Sequence, residues 1–203
     1  AAGTVNADSF DNTVISGHDA LTSAPADTDE FLISDAGTIK RIDYSLIKSG
    51  ITVADQFRLT TDFTGNAAPI ASNLARVNNT GQGTLGSGMS ESSGVFTFPS
   101  TGIYLVTLCL QTARTVSNDD RIDISISLTT DNSSFNDCAR GFTNSDGVTS
   151  GDTGYINNIS SLIDVTDTSN VKVRFDIANN VNLVRGSSSN NQTTMTFIRL
   201  GDT

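Results

Sequence analysis

Apolar and polar residues alternate along most of the chain. Between 121 and 128, Ile122, Ile124, Ile126 and Leu128 alternate with Arg121, Asp123, Ser125 and Ser127, the period of two expected of a half-buried antiparallel strand. Val171, Val173, Phe175 and Ile177 alternate in the same way with Lys172, Arg174 and Asp176. Read along its length, the pattern predicts strands near 57–61, 73–78, 94–98, 102–112, 121–129, 154–166, 171–178, 181–185 and 192–200, separated by clusters of Gly, Asn, Asp and Ser. Short strands with turn signals about every ten residues and little helix predict an all-β antiparallel sandwich or jelly roll. No internal repeat is present.

One segment breaks the alternation. Ile103-Tyr-Leu-Val-Thr-Leu-Cys-Leu110 is apolar on both faces, so a second surface beyond the sandwich core must cover it. It follows Phe98-Pro-Ser-Thr-Gly102, where the fixed φ of proline and a glycine predict a tight corner between two strands.

Residues 1–50 have a different character. They hold eight acidic residues against Lys40, Arg41 and Lys48. A short apolar run at Phe31-Leu-Ile, an Asp35-Ala-Gly turn and a second run through Ile39 and Ile42 predict a hairpin. Tyr44 to Gly50 then suits one helical turn closed by glycine. A lone hairpin buries too little to be stable in water, so this segment is expected to order against a partner. The organisation expected is therefore an N-terminal anchoring segment, 1–50, and a β head, 51–203.

Composition narrows the function. Ser, Thr and Asn make up 70 of the 203 residues, and these side chains compete with a helix backbone for hydrogen bonds, which excludes an all-α fold. A net charge of −10 argues against a surface that neutralises phosphates, so no nucleic-acid partner is expected. No window holds 18 consecutive apolar residues and the first residues lack the pattern of a secretory signal, so the expectation is a soluble chain without membrane insertion. Cys109 and Cys138 have no C-x-x-C spacing and are expected as free thiols.

Candidate chemistry is sparse. His18 is the single histidine, and a metal or nucleophile-base role would need partners the sequence does not offer. Asp119, Asp120 and Asp123 could pair as glycosidase carboxylates, but a Ser117-Asn-Asp-Asp120 turn explains them more simply. The loop Asp146–Asp152 has oxygen donors without the twelve-residue calcium pattern. Gly81-Gln-Gly-Thr-Leu-Gly-Ser-Gly88 lacks the Lys-Ser/Thr ending of a phosphate cradle and is expected as a flexible loop. With no Trp and three Tyr, a stacking-based sugar pocket is disfavoured. No catalytic residue, cofactor or metal is expected.

Phe96-Thr-Phe-Pro-Ser-Thr-Gly102-Ile-Tyr104-Leu-Val106-Thr-Leu108 resembles the signature of the complement-one-q globular head, a trimeric jelly roll related to the tumour necrosis factor fold. Phe96, Gly102 and Tyr104 match its spacing; Val106, Leu108 and Met89 stand where that family prefers aromatics. The later strands, including the closing Thr194-Met-Thr-Phe-Ile-Arg-Leu200, are similar too, so the resemblance spans about residues 55–201. Separately, Asp27 to Ile47 resembles a module of tail-fibre and related virion proteins of bacteriophages. No collagen-like Gly-X-Y run precedes the head, which departs from the animal complement proteins.

Together the resemblances imply a homotrimeric virion fibre or tail protein, anchored to other virion proteins through residues 1–50, whose head binds a host cell-surface receptor. A structural decoration or adaptor without receptor binding is the competing class. The signature places Tyr104 inside the sandwich. Strand parity then puts Ile103, Leu105, Thr107 and Cys109 on the three-fold axis, joined from the closing strand by Thr194, Thr196 and Ile198, with Met195 and Phe197 in the core.

Overall fold

The computed structural model describes residues 17, 19–47, 50–113, 121–144, 154–178 and 182–203. Two compact units are present, Ala1–Ser49 and Gly50–Thr203. In the first, β1 (Glu30–Asp35) and β2 (Thr38–Asp43) form a hairpin followed by a helical turn, α1 (Tyr44–Ile47). His18 lies outside the described residues.

The second unit is a sandwich of two antiparallel sheets. Its larger sheet is built on β8 (Gly102–Ala113). One edge of β8 pairs along its whole length with β11 (Gly154–Val165). The other edge pairs with β14 (Thr194–Gly201) and, at its far end, β13 (Leu183–Val184). Beyond β14 lie β3 (Ala54–Leu59) and β5 (Leu74–Arg76), and beyond β13 lies β4 (Phe63–Thr64). The smaller sheet runs β10 (Asn136–Asn144), β9 (Arg121–Thr129), β12 (Lys172–Ala178), β7 (Val95–Thr97), β6 (Ser90–Ser92). The all-β antiparallel jelly-roll architecture expected from the pattern is the one observed.

Alternation assigns the core. Tyr104, Val106, Leu108 and Leu110 of β8 are fully buried, as are Met195 and Phe197 of β14 and Ile122, Ile124 and Ile126 of β9. Phe96 sits among Phe57, Phe175 and Phe197 with ring centroids 5.0–5.5 Å apart; such aromatic pairs contribute about 0.5–1.5 kcal/mol each beyond area burial. At the corner, the Tyr104 hydroxyl donates to the Ser100 carbonyl at 3.1 Å and its ring lies 4.7 Å from Phe98. Gly102 has φ of 137°, and a Cβ there would stand 2.5 Å from the Gly201 carbonyl oxygen; both facts require glycine.

Three expectations need correction. First, β10 is a strand that the pattern does not predict: Asn136-Asp-Cys-Ala-Arg-Gly-Phe-Thr-Asn144 has no apolar alternation because it is an edge strand with little buried surface. Second, Ser125 and Ser127, on the polar side of β9, are buried, since the Ser127 hydroxyl lies between the carboxylates of Asp137 and Asp176 at 2.8 and 2.7 Å.

Third, the Gly81–Gly88 segment is pinned rather than free. Leu85 bridges to Ala54 through reciprocal backbone hydrogen bonds. The pin is Asp55, whose side chain is fully buried. Its carboxylate accepts from Arg76 Nε at 3.0 Å, Thr84 Oγ1 at 3.1 Å, the Gln56 amide at 2.9 Å and the Met89 amide at 2.7 Å. Arg76 also donates to the Met89 carbonyl and lies 4.9 Å over the Phe57 ring. Arg76 is partly exposed, so losing the Asp55 carboxylate mainly strands the buried Met89 amide, at a cost of about 1–3 kcal/mol. Asp55→Ala is therefore expected to lower the melting temperature by roughly 2–12 °C in a domain of this size. A calorimetric shift of under about 2 °C would show that the network adds nothing.

Candidate functional site

The outward face of the larger sheet carries the residues expected at a subunit interface. Register places them in rows across the strands. Ala54 of β3, Ile198 of β14, Leu105 of β8 and Leu162 of β11 form one row. The next holds Gln56, Thr196, Thr107 and Ser160, and the next Arg58, Thr194, Cys109 and Asn158. Further along β8, Gln111 pairs with Ile156. Ile103 stands at the other end, opposite Asp164.

This face is uneven. Ile103, Leu105, Thr107, Cys109, Thr196 and Ile198 are half-buried, so the single chain covers them incompletely. On β11, Leu162 is 66% and Ile156 69% exposed. A continuous apolar band thus crosses four strands with its β11 end open to solvent, a feature that marks interaction surfaces. Thr194 differs: it has the expected parity but is already buried within the chain.

The closed end around Thr194 has a visible cause. Arg58, in the same row, is buried and donates from Nη2 to Asn79 Oδ1 at 2.9 Å, and Asn79 Nδ2 reaches the Ser189 carbonyl at 2.9 Å. Asn191 Nδ2 donates to Gln56 Oε1 at 2.8 Å, while Gln56 Nε2 donates to Thr196 Oγ1 at 2.7 Å. The segments around Asn79 and Ser187–Asn191 therefore tie down the β3 end of the face, and the band from Leu105 to Leu162 is left open. Neither Arg58 nor these amides carried a sequence signal, because the contacts join positions 21 to 140 residues apart.

The other candidates assemble less. Asp119, Asp120 and the 146–152 loop lie outside the described residues. Asp123 lies on the outward face of the smaller sheet and pairs with Arg121 at 2.6 Å. It lines a shallow cleft of about 120 Å³ with Ser125, Arg140 and Asp176, and Asp176 pairs with Arg174 at 3.1 Å. Among the described residues, no group of three or more His, Cys, Asp or Glu side chains is placed to hold a metal. Asp131 is a structural acid: the Ser134 and Ser133 amides and the Thr129 hydroxyl donate to it and hold its carboxyl well below the usual carboxylate range.

No family model matches the sequence, and no curated protein matches it. Solved structures do match the fold. Eiger TNF from S. frugiperda superposes with a TM-score of 0.58 at 12% identity, covering 76% of this chain and 96% of that one. Murine APRIL at pH 8.0 gives 0.52 at 10% identity, with 73% and 98% covered, and at pH 5.0 it gives 0.53 at 12% identity over the same shares. At such identities the likeness concerns fold alone. The chain contains a tumour necrosis factor-like jelly roll.

Both cysteines are free, and burial pushes the Cys109 thiol above its ordinary range. A raised pKa leaves less thiolate at neutral pH, and the thiolate is the reactive form. Alkylation of Cys109 at pH 7 is therefore expected to run more slowly than that of free cysteine and to climb as pH rises past the ordinary thiol range. Mass-spectrometric labelling rates equal to those of free cysteine would contradict this burial.

Proposed function

We propose that the chain is a homotrimeric bacteriophage virion protein in which residues 1–50 attach to the particle and residues 51–203 display a jelly-roll head for adhesion to the host surface. The observation that carries the trimer is the open apolar band of Ile198, Leu105 and Leu162. A sandwich needs only one apolar face per sheet, so a second one asks for a partner, and copies of the same chain supply it by symmetry. Obligate interfaces of this kind are apolar and bury about 2,000 Å² or more. The resemblance of Asp27 to Ile47 to a tail-fibre module supports the virion setting, and a head with its smaller sheet turned outward suits receptor contact. The reading is of a binding protein, not an enzyme.

A charge in the middle of the band tests the trimer. An unpaired buried carboxylate costs several kcal/mol, and a three-fold axis brings three together. Leu105→Asp is expected to give monomer or aggregate by light scattering at micromolar concentration. Ser92→Asp, at an exposed position on β6 of the other sheet, is expected to leave the trimer intact. Ser125, although on the polar side of β9, is unsuitable as that control because it is buried beside Asp176. A trimer that survives Leu105→Asp unchanged would overturn the assignment.

Adhesion has its own measurement. Fluorescently labelled full-length protein is expected to bind host cells saturably, and removal of residues 1–50 is expected to abolish incorporation into particles while leaving cell binding. Absence of cell binding, with assembly failing for want of the protein, would favour the structural adaptor instead.

A further inference from the structure

The N-terminal hairpin is folded yet has no fully buried residue. β1 and β2 pair at all six positions, from Glu30 opposite Asp43 to Asp35 opposite Thr38. Every residue of β1 is nevertheless exposed, Ile42 alone in β2 is partly covered, and α1 has no buried residue. A two-stranded ribbon in this condition is marginal in water and calls for a partner surface.

The register sorts its side chains into two unequal faces. Phe31, Ile33 and Ile42 share one, where the Tyr44 ring lies 6.1 Å from Phe31 and an ion pair joins Asp35 to Lys40. Leu32 and Ile39 share the other with Glu30, Arg41 and Asp43, and Arg41 pairs with Glu30 at 2.9 Å. The first face is partly shielded, with Phe31 at 42% and Ile33 at 39% exposure, whereas Leu32 at 71% and Ile39 at 65% stand bare.

We infer that the Leu32–Ile39 face of each hairpin packs against the hairpins of the other two copies, so that the N-terminal segment carries a second self-association surface. This rests on the trimer reading of the head. Two features favour copies of the same chain as the occupant. Only residues 48–53 separate α1 from β3, so a trimeric head tethers three hairpins on short linkers at an effective concentration on the order of millimolar, where even a small apolar face associates. The bare face also carries exposed Asp43 beside the Glu30–Arg41 pair, whose Arg41 side chain is 73% exposed, so in a ring of copies Arg41 of one can also meet Asp43 of the next.

Amide exchange on the full-length chain tests this. In the wild-type trimer, amides of 30–43 are expected to exchange at least about tenfold more slowly than in the Leu105→Asp chain. Leu32→Asp is expected to bring their exchange up to the Leu105→Asp rate while sedimentation still reports a trimer. Lys40→Ala, on the shielded face, is expected to keep the protection. Equal rates in wild type and Leu105→Asp overturn the inference: if both are slow, the hairpin is covered within its own chain, and if both are fast, no copy covers it. Protection that arises only on adding another virion protein also overturns it. A trimeric wild type with fast exchange defeats this inference alone, whereas a monomeric wild type defeats it together with the trimer reading.

Discussion

β8 is apolar on both of its faces and pairs on both of its edges, and the remaining head is arranged around that constraint. One set of its side chains, Tyr104, Val106, Leu108 and Leu110, is enclosed by the sandwich. Its edges are taken by β11 on one side and by β14 and β13 on the other, which brings the end of the chain back to its middle. The second set, Ile103 to Cys109, cannot use that core because alternation turns it the opposite way. A buried second face is therefore a demand the single chain leaves partly unmet, and the proposed trimer answers it.

The Asp55 network shows how the rest of that face is shaped. Asp55 ties the Thr84–Met89 segment to β3, and on the other face of the same strand Arg58 and Gln56 engage Asn79 and Asn191. One end of the face is thereby closed with polar bonds and the other left apolar. A closed end limits where a neighbouring copy can sit, so the Leu105–Leu162 band becomes the only wide apolar contact among the described residues of this face. The smaller sheet has a different outward surface. It carries ion pairs, Arg121 on Asp123 and Arg174 on Asp176.

Much of this was legible in the sequence because period-two alternation is a local signal. Ile122, Ile124 and Ile126 of β9 and Val173, Phe175 and Ile177 of β12 are buried as alternation predicts, and the Phe96, Gly102 and Tyr104 spacing marked the corner and the inside of β8. What failed was non-local or lacked apolar contrast. β10 has too few apolar residues to announce an edge strand. The glycine-rich 81–88 segment has the composition of a flexible loop, and it is held by the Asp55 carboxylate and the Ala54 backbone, about thirty residues earlier along the chain. Thr194 obeyed parity, but its burial depends on neighbours that strand periodicity cannot reveal.

The central claim is that copies of the chain cover the band formed by Ile198, Leu105 and Leu162. Isotope-filtered nuclear Overhauser spectra of a mixture of labelled and unlabelled full-length chains, unfolded together and refolded, test it most directly. The account predicts intermolecular cross-peaks from the methyls of Leu105, Ile198 and Leu162 and none from the buried methyls of Val106 and Leu108. Filtered spectra with no cross-peaks, or with cross-peaks arising only from the smaller sheet, would contradict it.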